Sequence, residues 1–229
     1  MEKSILKIPL RIYDVENGYR NSELYFAYPK SETGMWHELM LKAQNSGLRL
    51  AYSSEWYLAR KLLENKHPEY EKDFIEGPSE WTGTVLDYDK EELIEGITLN
   101  PDKSIKNVKT KLGKKEGIIL PHSSSYIKDM DDKYMPVISQ LWGVKNPKRE
   151  LIDYAYLWVD DSGFRPVVRG DWGWDRCDYG RVDADVNLDA AYWGFAARFV
   201  SDKKPKDAIT KEKYESLLRE ISGETVFVE

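Results

Sequence analysis

Gly47-Leu48-Arg49-Leu50-Ala51-Tyr52-Ser53-Ser54-Glu55-Trp56-Tyr57-Leu58-Ala59-Arg60 is the stretch on which the fold turns. Gly47 is placed to end one helix, because without a Cβ it takes the left-handed conformation at no steric cost. Ser53 or Ser54 is placed to open the next, because a hydroxyl accepts from the N–H groups that a first turn leaves unpaired. Trp56, Ala59, Leu62 and Leu63 then recur at helical spacing and predict one buried face, and His67-Pro68 stops the run. Immediately upstream, Met35, Trp36, Leu39, Met40 and Ala43 make a matching apolar stripe with Thr33 as the expected cap.

The flanks read as strands. Ile5 to Tyr13 carries Ile8, Leu10 and Ile12 on one face. Trp81 to Tyr88 reads as a short strand, and Lys103 to Leu120 as a strand pair turned at Leu112 to Lys115, with Gly113 available for a positive φ. Pro121 to Arg149 is irregular with short helical pieces. Strands are expected at Tyr154 to Val159, Arg165 to Arg169 and Trp193 to Val200, and a helix at Thr210 to Ile221 ended by Gly223. Helices early and strands late predict an α+β fold, two helices packed on a small, irregular, mainly antiparallel sheet. Eight tryptophans and fifteen tyrosines supply much of its core.

The 229 residues are compatible with a single domain, and 41% hydrophobic against 32% charged residues reads as soluble and globular, not disordered. A net charge of -6 is not the footprint of a nucleic-acid binder, so no nucleic-acid partner is expected. The exception is Lys103 to Lys115, where six lysines are spaced among Ile105, Val108 and Leu112. It reads either as an anion or nucleic-acid contact or as a solvated hairpin edge kept from aggregating by lysine, and the edge is the better reading. No apolar run is long enough for a signal peptide or a membrane span, so synthesis in the cytoplasm without membrane insertion is expected, with later display on a virion or cell surface left open.

Catalytic and metal chemistry is sparse. Cys177 is the single cysteine, which excludes an intramolecular disulfide and a cysteine-based zinc site. His37, His67 and His122 have no helical metal-site spacing and read as structural or surface residues. His122-Ser123-Ser124-Ser125 lacks a nucleophile elbow. Asp129, Asp131 and Asp132 lack the glycine and downstream glutamate of a calcium loop, and Asp160-Asp161 reads as turn chemistry. No catalytic residue, metal or cofactor is expected.

One window departs from the rest. Lys and Glu make up 44 of the 229 residues, so about ten are expected in the 52 positions from Leu151 to Asp202, and none is there. Ten of the nineteen Asp are. A buried core explains missing Lys and Glu but not retained Asp. Within the window, Asp171 to Tyr192 mixes aromatics with Asp and Arg at no regular period, as binding surfaces do. An irregular loop closed by its own aromatics fits that composition equally.

Taken together, four segments resemble the formylglycine-generating-enzyme-like domains, in the order of that family. Gly47-Leu48-Arg49-Leu50 with Ser53 to Arg60 resembles its R-L-P-T-E-A-E-W signature. Glu80-Trp81-Thr82-Gly83 resembles its W-E-W-T segment, Arg165 to Trp172 its R-V-L-R-G-G-S-W, and Trp193-Gly194-Phe195-Ala196-Ala197-Arg198 its closing I-G-F-R. The resemblance implies a variant of the C-type lectin fold over residues 1–229, with insertions at about 87–150. The enzymes hold copper with a pair of cysteines, and this chain has one. An oxidoreductase of that type with an atypical site is therefore the alternative, and a non-enzymatic protein the main expectation.

A further branch is similar: the variable proteins of diversity-generating retroelements, including tropism determinants of some phages. They place a variable region between the last two motifs, here 169–198. Their mutagenesis alters adenines, commonly in AAY codons, which then yield Asp, Gly, Tyr, Cys, Arg, Val, Ala, Leu or Asn but never Lys or Glu. Every residue from Asp175 to Tyr192 belongs to that set. The resemblance implies a ligand-binding protein for a protein or cell-surface ligand, its oligomeric state open. Its contact residues would be Asp171, Gly173, Trp174, Asp175, Cys177, Tyr179, Arg181, Asp183, Asp185, Asn187, Asp189 and Tyr192. Trp56, Trp81, Trp172 and Phe195 would hold the frame. Six Asp against two Arg in Asp171 to Tyr192 favour a cationic ligand.

Overall fold

The computed structural model of the protein describes residues 3–28, 30–31, 33–66, 70, 74, 79–151, 153, 155–169, 181–186, 195–203 and 225–228. It is an α+β protein in which helices pack on antiparallel-rich sheets. The chain opens with strands β1 (Lys3–Asp14) and β2 (Gly18–Tyr28), an antiparallel hairpin. Leu6, Ile8, Leu10 and Ile12 are buried on one face of β1 while Lys7, Pro9 and Arg11 alternate outward. The turn is closed by the Asp14 carboxylate, which accepts from the N–H groups of Glu16 and Asn17 at 3.0 and 2.9 Å. Gly18 follows at φ 74, a conformation that costs other residues dearly.

Helix α1 (Trp36–Asn45) buries Trp36, Leu39, Met40 and Ala43, as the stripe predicts. Burying such side chains contributes about 1.5–3 kcal/mol for each large one. Its N-cap is Met35 and not Thr33, and the Met35 N–H donates to Glu38 instead. Gly47 takes φ 70 just past the helix end. After the short strand β3 (Arg49–Leu50) comes helix α2 (Ser53–Lys66), which buries Trp56, Ala59 and Leu63. Neither serine caps it through its hydroxyl. Glu55 does so from the first turn, accepting the Tyr52 N–H at 2.9 Å, and the Ser53 hydroxyl turns inward to Leu141.

Two main sheets are present where one small sheet was expected. The five-stranded sheet has the order β15-β1-β2-β14-β3, where β14 is Phe199–Ser201 and β15 is Thr225–Val228. The eight-stranded sheet has the order β8-β5-β4-β11-β12-β10-β9, with β13 paired to β4. Its members are β4 (Glu80–Asp87), β5 (Glu92–Glu95), β8 (Thr110–Leu112), β9 (Ser125–Tyr126), β10 (Tyr156–Val159), β11 (Phe164–Arg169), β12 (Val182–Ala184) and β13 (Ala196–Ala197). Strands β6 (Thr98–Leu99) and β7 (Ile105–Asn107) pair apart. Helices α3 (Met135–Trp142) and α4 (Pro147–Glu150) fall in the stretch read as irregular.

Two apolar clusters hold these layers. Ile8, Leu10 and Ile12 of β1 join Trp56, Ala59 and Leu63 of α2 and Val137, Ile138, Leu141 and Trp142 of α3. The stripe of α1 packs with Leu50, Trp81, Val168 and Phe195.

The lysine-rich hairpin does not form. β7 pairs with β6 and β8 with β5, while Lys114–Glu116 is a 3₁₀ turn. Gly113 is extended at φ -133, and the left-handed glycine is Gly117 at φ 79. The strand expected at Trp193 to Val200 divides into β13 and β14, which join different sheets. The helix expected at Thr210 to Ile221 lies outside the described residues.

Candidate ligand-binding site

The window without Lys or Glu is framed by strands at one end of β4. All eight residues of β4 are buried, so it sits inside the sheet. β11 runs antiparallel beside it and pairs Arg169 with Glu80. β12 runs antiparallel to β11 and pairs Val182 with Arg169. β13 lies parallel to β4 on its other side and pairs Ala196 with Glu80. Arg169, Val182 and Ala196 therefore stand level with Glu80 on four adjacent strands, an array spanning about 15 Å at the usual strand spacing. Arg169 and Val182, on neighbouring strands, and Ala196 thus all stand at this end of the sheet.

Buried polar contacts stiffen this array. Arg198 lies just beyond β13 and donates to both carboxylate oxygens of Glu80, at 3.1 and 2.6 Å, with both side chains about 1% exposed. The Lys30 ammonium is 3.6 Å from the same carboxylate, and the Arg198 guanidinium lies 3.9 Å from the centre of the Phe74 ring. Such paired and fork-shaped contacts fix geometry more than they add stability. Trp81 packs edge-on against Phe195 at 4.6 Å and donates its indole N–H to the Gly34 carbonyl.

Arg169 is the second buried cation, 1% exposed. Its Nε donates to the Ser53 hydroxyl at 2.9 Å, one Nη to the Leu141 carbonyl at 2.7 Å and the other to the Arg181 carbonyl at 3.2 Å. Its guanidinium also stacks over Trp142 at 4.5 Å. Burial pushes it down to about 9, which leaves it cationic at neutral pH. By donating to the Arg181 carbonyl, Arg169 at the end of β11 clamps the residue that precedes β12.

Of the expected contact residues, three are described, and they differ in kind. Asp185 is exposed. Arg181 is partly exposed, donates from Nε to Asp183 at 2.9 Å and stacks over Trp158 at 5.1 Å. Asp183 is 3% exposed, so it is a frame residue and not the surface residue expected. Its strand is inserted between β10 and β11, which take both of its edges, and all three of its residues are buried. Asp171, Gly173, Trp174, Asp175, Cys177, Tyr179, Asn187, Asp189 and Tyr192 lie outside the described residues, as does Trp172. Trp56, Trp81 and Phe195 are buried in the frame.

Sequence reading missed one feature beside Arg181. Tyr126, Tyr156 and Trp158 form a row on β9 and β10, with successive ring centres 4.7 and 4.8 Å apart, and Tyr126 and Trp158 are 44% and 39% exposed. The signal was the alternation of Tyr156 and Trp158 around buried Leu157. Trp158 pairs with Asp183 in register, which sets the row against the start of β12.

Among the described residues no group of three His, Cys, Asp or Glu is gathered for a metal, and no helix is long and apolar enough to cross a membrane. Comparison with protein-family models, curated proteins and solved structures finds no match to this chain.

Proposed function

We propose that the chain is a ligand-binding protein that displays a variable surface, residues 169–198, on a C-type-lectin scaffold of the formylglycine-generating-enzyme-like type. Its partner on this reading is a protein or cell-surface ligand, and the display serves receptor recognition on a virion or cell surface. The observation that carries the reading is compositional: 52 consecutive residues without Lys or Glu that retain ten of the nineteen Asp. Adenine-directed change of AAY codons leaves that alphabet, and burial does not. The frame gives support, because Arg169, Val182 and Ala196 are fixed at one end of β4 by strand pairing and the buried Arg198–Glu80 pair lies beside them. Side chains between such fixed points can change without the frame being rebuilt.

The test is the DNA around the gene. A near-copy of the coding segment for Arg169 to Arg198, differing only at adenines and beside a reverse transcriptase, is the expected finding. Purified protein that carries copper or iron and turns over a thiol substrate would overturn the reading in favour of an enzyme.

A further inference from the structure

Away from the proposed site, three polar side chains, Thr84 of β4, Glu95 of β5 and Gln140 of α3, meet inside the protein together with the backbone N–H of Ser53 of α2. None is more than 5% exposed. The Thr84 hydroxyl donates to Glu95 Oε1 at 2.8 Å and accepts the Ser53 N–H at 3.0 Å. Gln140 donates from Nε2 to Glu95 Oε2 at 3.2 Å, and its Oε1 accepts the Val15 N–H at 3.1 Å. A backbone N–H can only donate, so the Val15 contact fixes which way the amide points.

Both oxygens of Glu95 act as acceptors, so the network is complete for a carboxylate. Burial nevertheless raises this group to about 7, against the pull of the Thr84 and Gln140 donors. The charged and titratable groups facing it are Glu55, which pushes the same way, and Arg49 and Tyr52. Lys109 packs on Gly96 next to it. Arg49 is bound to Glu55 through both Nη atoms, at 2.7 and 2.8 Å.

Protonation adds a donor to a cluster in which both Glu95 oxygens and Gln140 Oε1 already accept. The acid proton can go to the Thr84 oxygen, and the Thr84 hydrogen then loses its acceptor. It can go instead to Gln140 if the amide turns over, and an NH₂ then faces the Val15 N–H. Either way one buried bond is exchanged for an unmet donor. The cluster is joined to the frame. The Ser53 hydroxyl donates to Leu141, the residue after Gln140, and accepts from Arg169, which holds Arg181.

We propose that Glu95, Thr84 and Gln140 form a proton switch in the core, and that Ser53 and Leu141 carry its state to the Arg169 clamp on Arg181, at the start of β12. The device belongs to the frame and stands whether or not the protein binds a ligand.

The test is a pH titration of the full chain, labelled with carbon-13 and nitrogen-15, between about pH 5 and pH 9, a window that brackets the midpoint. The Glu95 carboxyl carbon is expected to titrate near 7. The amides of Val15, Ser53 and Val182 are expected to shift with the same midpoint, and exchange of the Val15 amide to change about tenfold between the limits. Glu95→Gln is expected to remove the common midpoint. A Glu95 midpoint near the ordinary 4.5, or amide shifts that persist in Glu95→Gln, would overturn the switch. Val15 and Ser53 following Glu95 while Val182 does not would overturn the link to the clamp. Should Glu95→Gln not fold, Thr84→Val removes one donor to the carboxylate and is expected to raise the midpoint of Glu95 and all three amides together; an unmoved midpoint overturns the proposal.

Discussion

Arg169 and Arg198 stand at matching places in the frame and are balanced in opposite ways. Arg198 meets a carboxylate, and Arg169 meets carbonyls, a hydroxyl and aromatic rings. Removing one partner of a buried pair leaves the other charge uncompensated, so Glu80→Met is expected to cost about 3–5 kcal/mol. Glu80→Met with Arg198→Met should recover part of that loss, because the fully buried guanidinium goes with its partner and only Lys30, 9% exposed, loses a carboxylate. Urea denaturation of the two variants checks it; equal losses would mean the pair is not coupled. The two described aspartates separate as sharply. Asp183→Ala is expected to lose about 1–3 kcal/mol, since it removes the buried acceptor of Arg181, while Asp185→Ala stays within about 0.5 kcal/mol. Composition marks both as members of the window and cannot tell them apart. Their difference comes from β12 lying between two strands, a long-range pairing with no local signature.

The elements that periodicity reads well are those with one wet face. α1 follows its stripe and β1 its alternation because each keeps a wet face, while α2 follows its stripe although Ser53 to Tyr57, Ala59 and Arg60 are all buried between β1 and α3. β2 escaped because Arg20, Asn21, Ser22 and Glu23 fill its outer half, and pairing with β1, not burial, makes that half a strand. The turn after β8 escaped for another reason. Gly113 and Gly117 flank the same lysines, and only the 3₁₀ turn between them decides which needs a positive φ. Glycines at element ends give a graded prediction. Gly18 has open space where a Cβ would stand, so Gly18→Ala bears only the backbone cost, about 1–2 kcal/mol. Gly143 closes α3 at φ 70, and a Cβ there would meet Leu58 at 2.8 Å and Ser54 at 3.1 Å. Gly143→Ala is therefore expected to lower the melting temperature further than Gly18→Ala, and thermal unfolding of both would show the reverse order if the α2–α3 contact were loose.

For the molecule as a whole, the site and the frame were legible to different depths. The window without Lys and Glu is visible in composition because a count of residue types needs no knowledge of contacts. The polar core is not visible, because Ser53, Thr84, Glu95 and Gln140 are dispersed along the chain and meet only once both sheets and α3 are in place. That core also shapes how stability follows pH. Asp202 is held below the usual carboxylate range by its bonds to Arg49, and Asp160 by the Asp161 N–H and Arg165, against the opposing effect of burial on each. Their contributions are present above the unfolded value and are lost as pH falls through the folded one. Glu95 has the opposite sign, since its folded value of about 7 lies above its ordinary 4.5. Its stabilisation is complete below that ordinary value and is lost as pH rises through about 7, a decline of about 3 kcal/mol. Stability should therefore rise from strongly acidic pH, reach a maximum in the weakly acidic range and fall toward pH 8. Glu95→Gln should abolish the fall and leave the acidic rise. Urea midpoints of both proteins at half-unit pH steps measure this. A wild-type curve that is flat between pH 5 and pH 8 would mean that the interior of the cluster accommodates the charge as readily as water does.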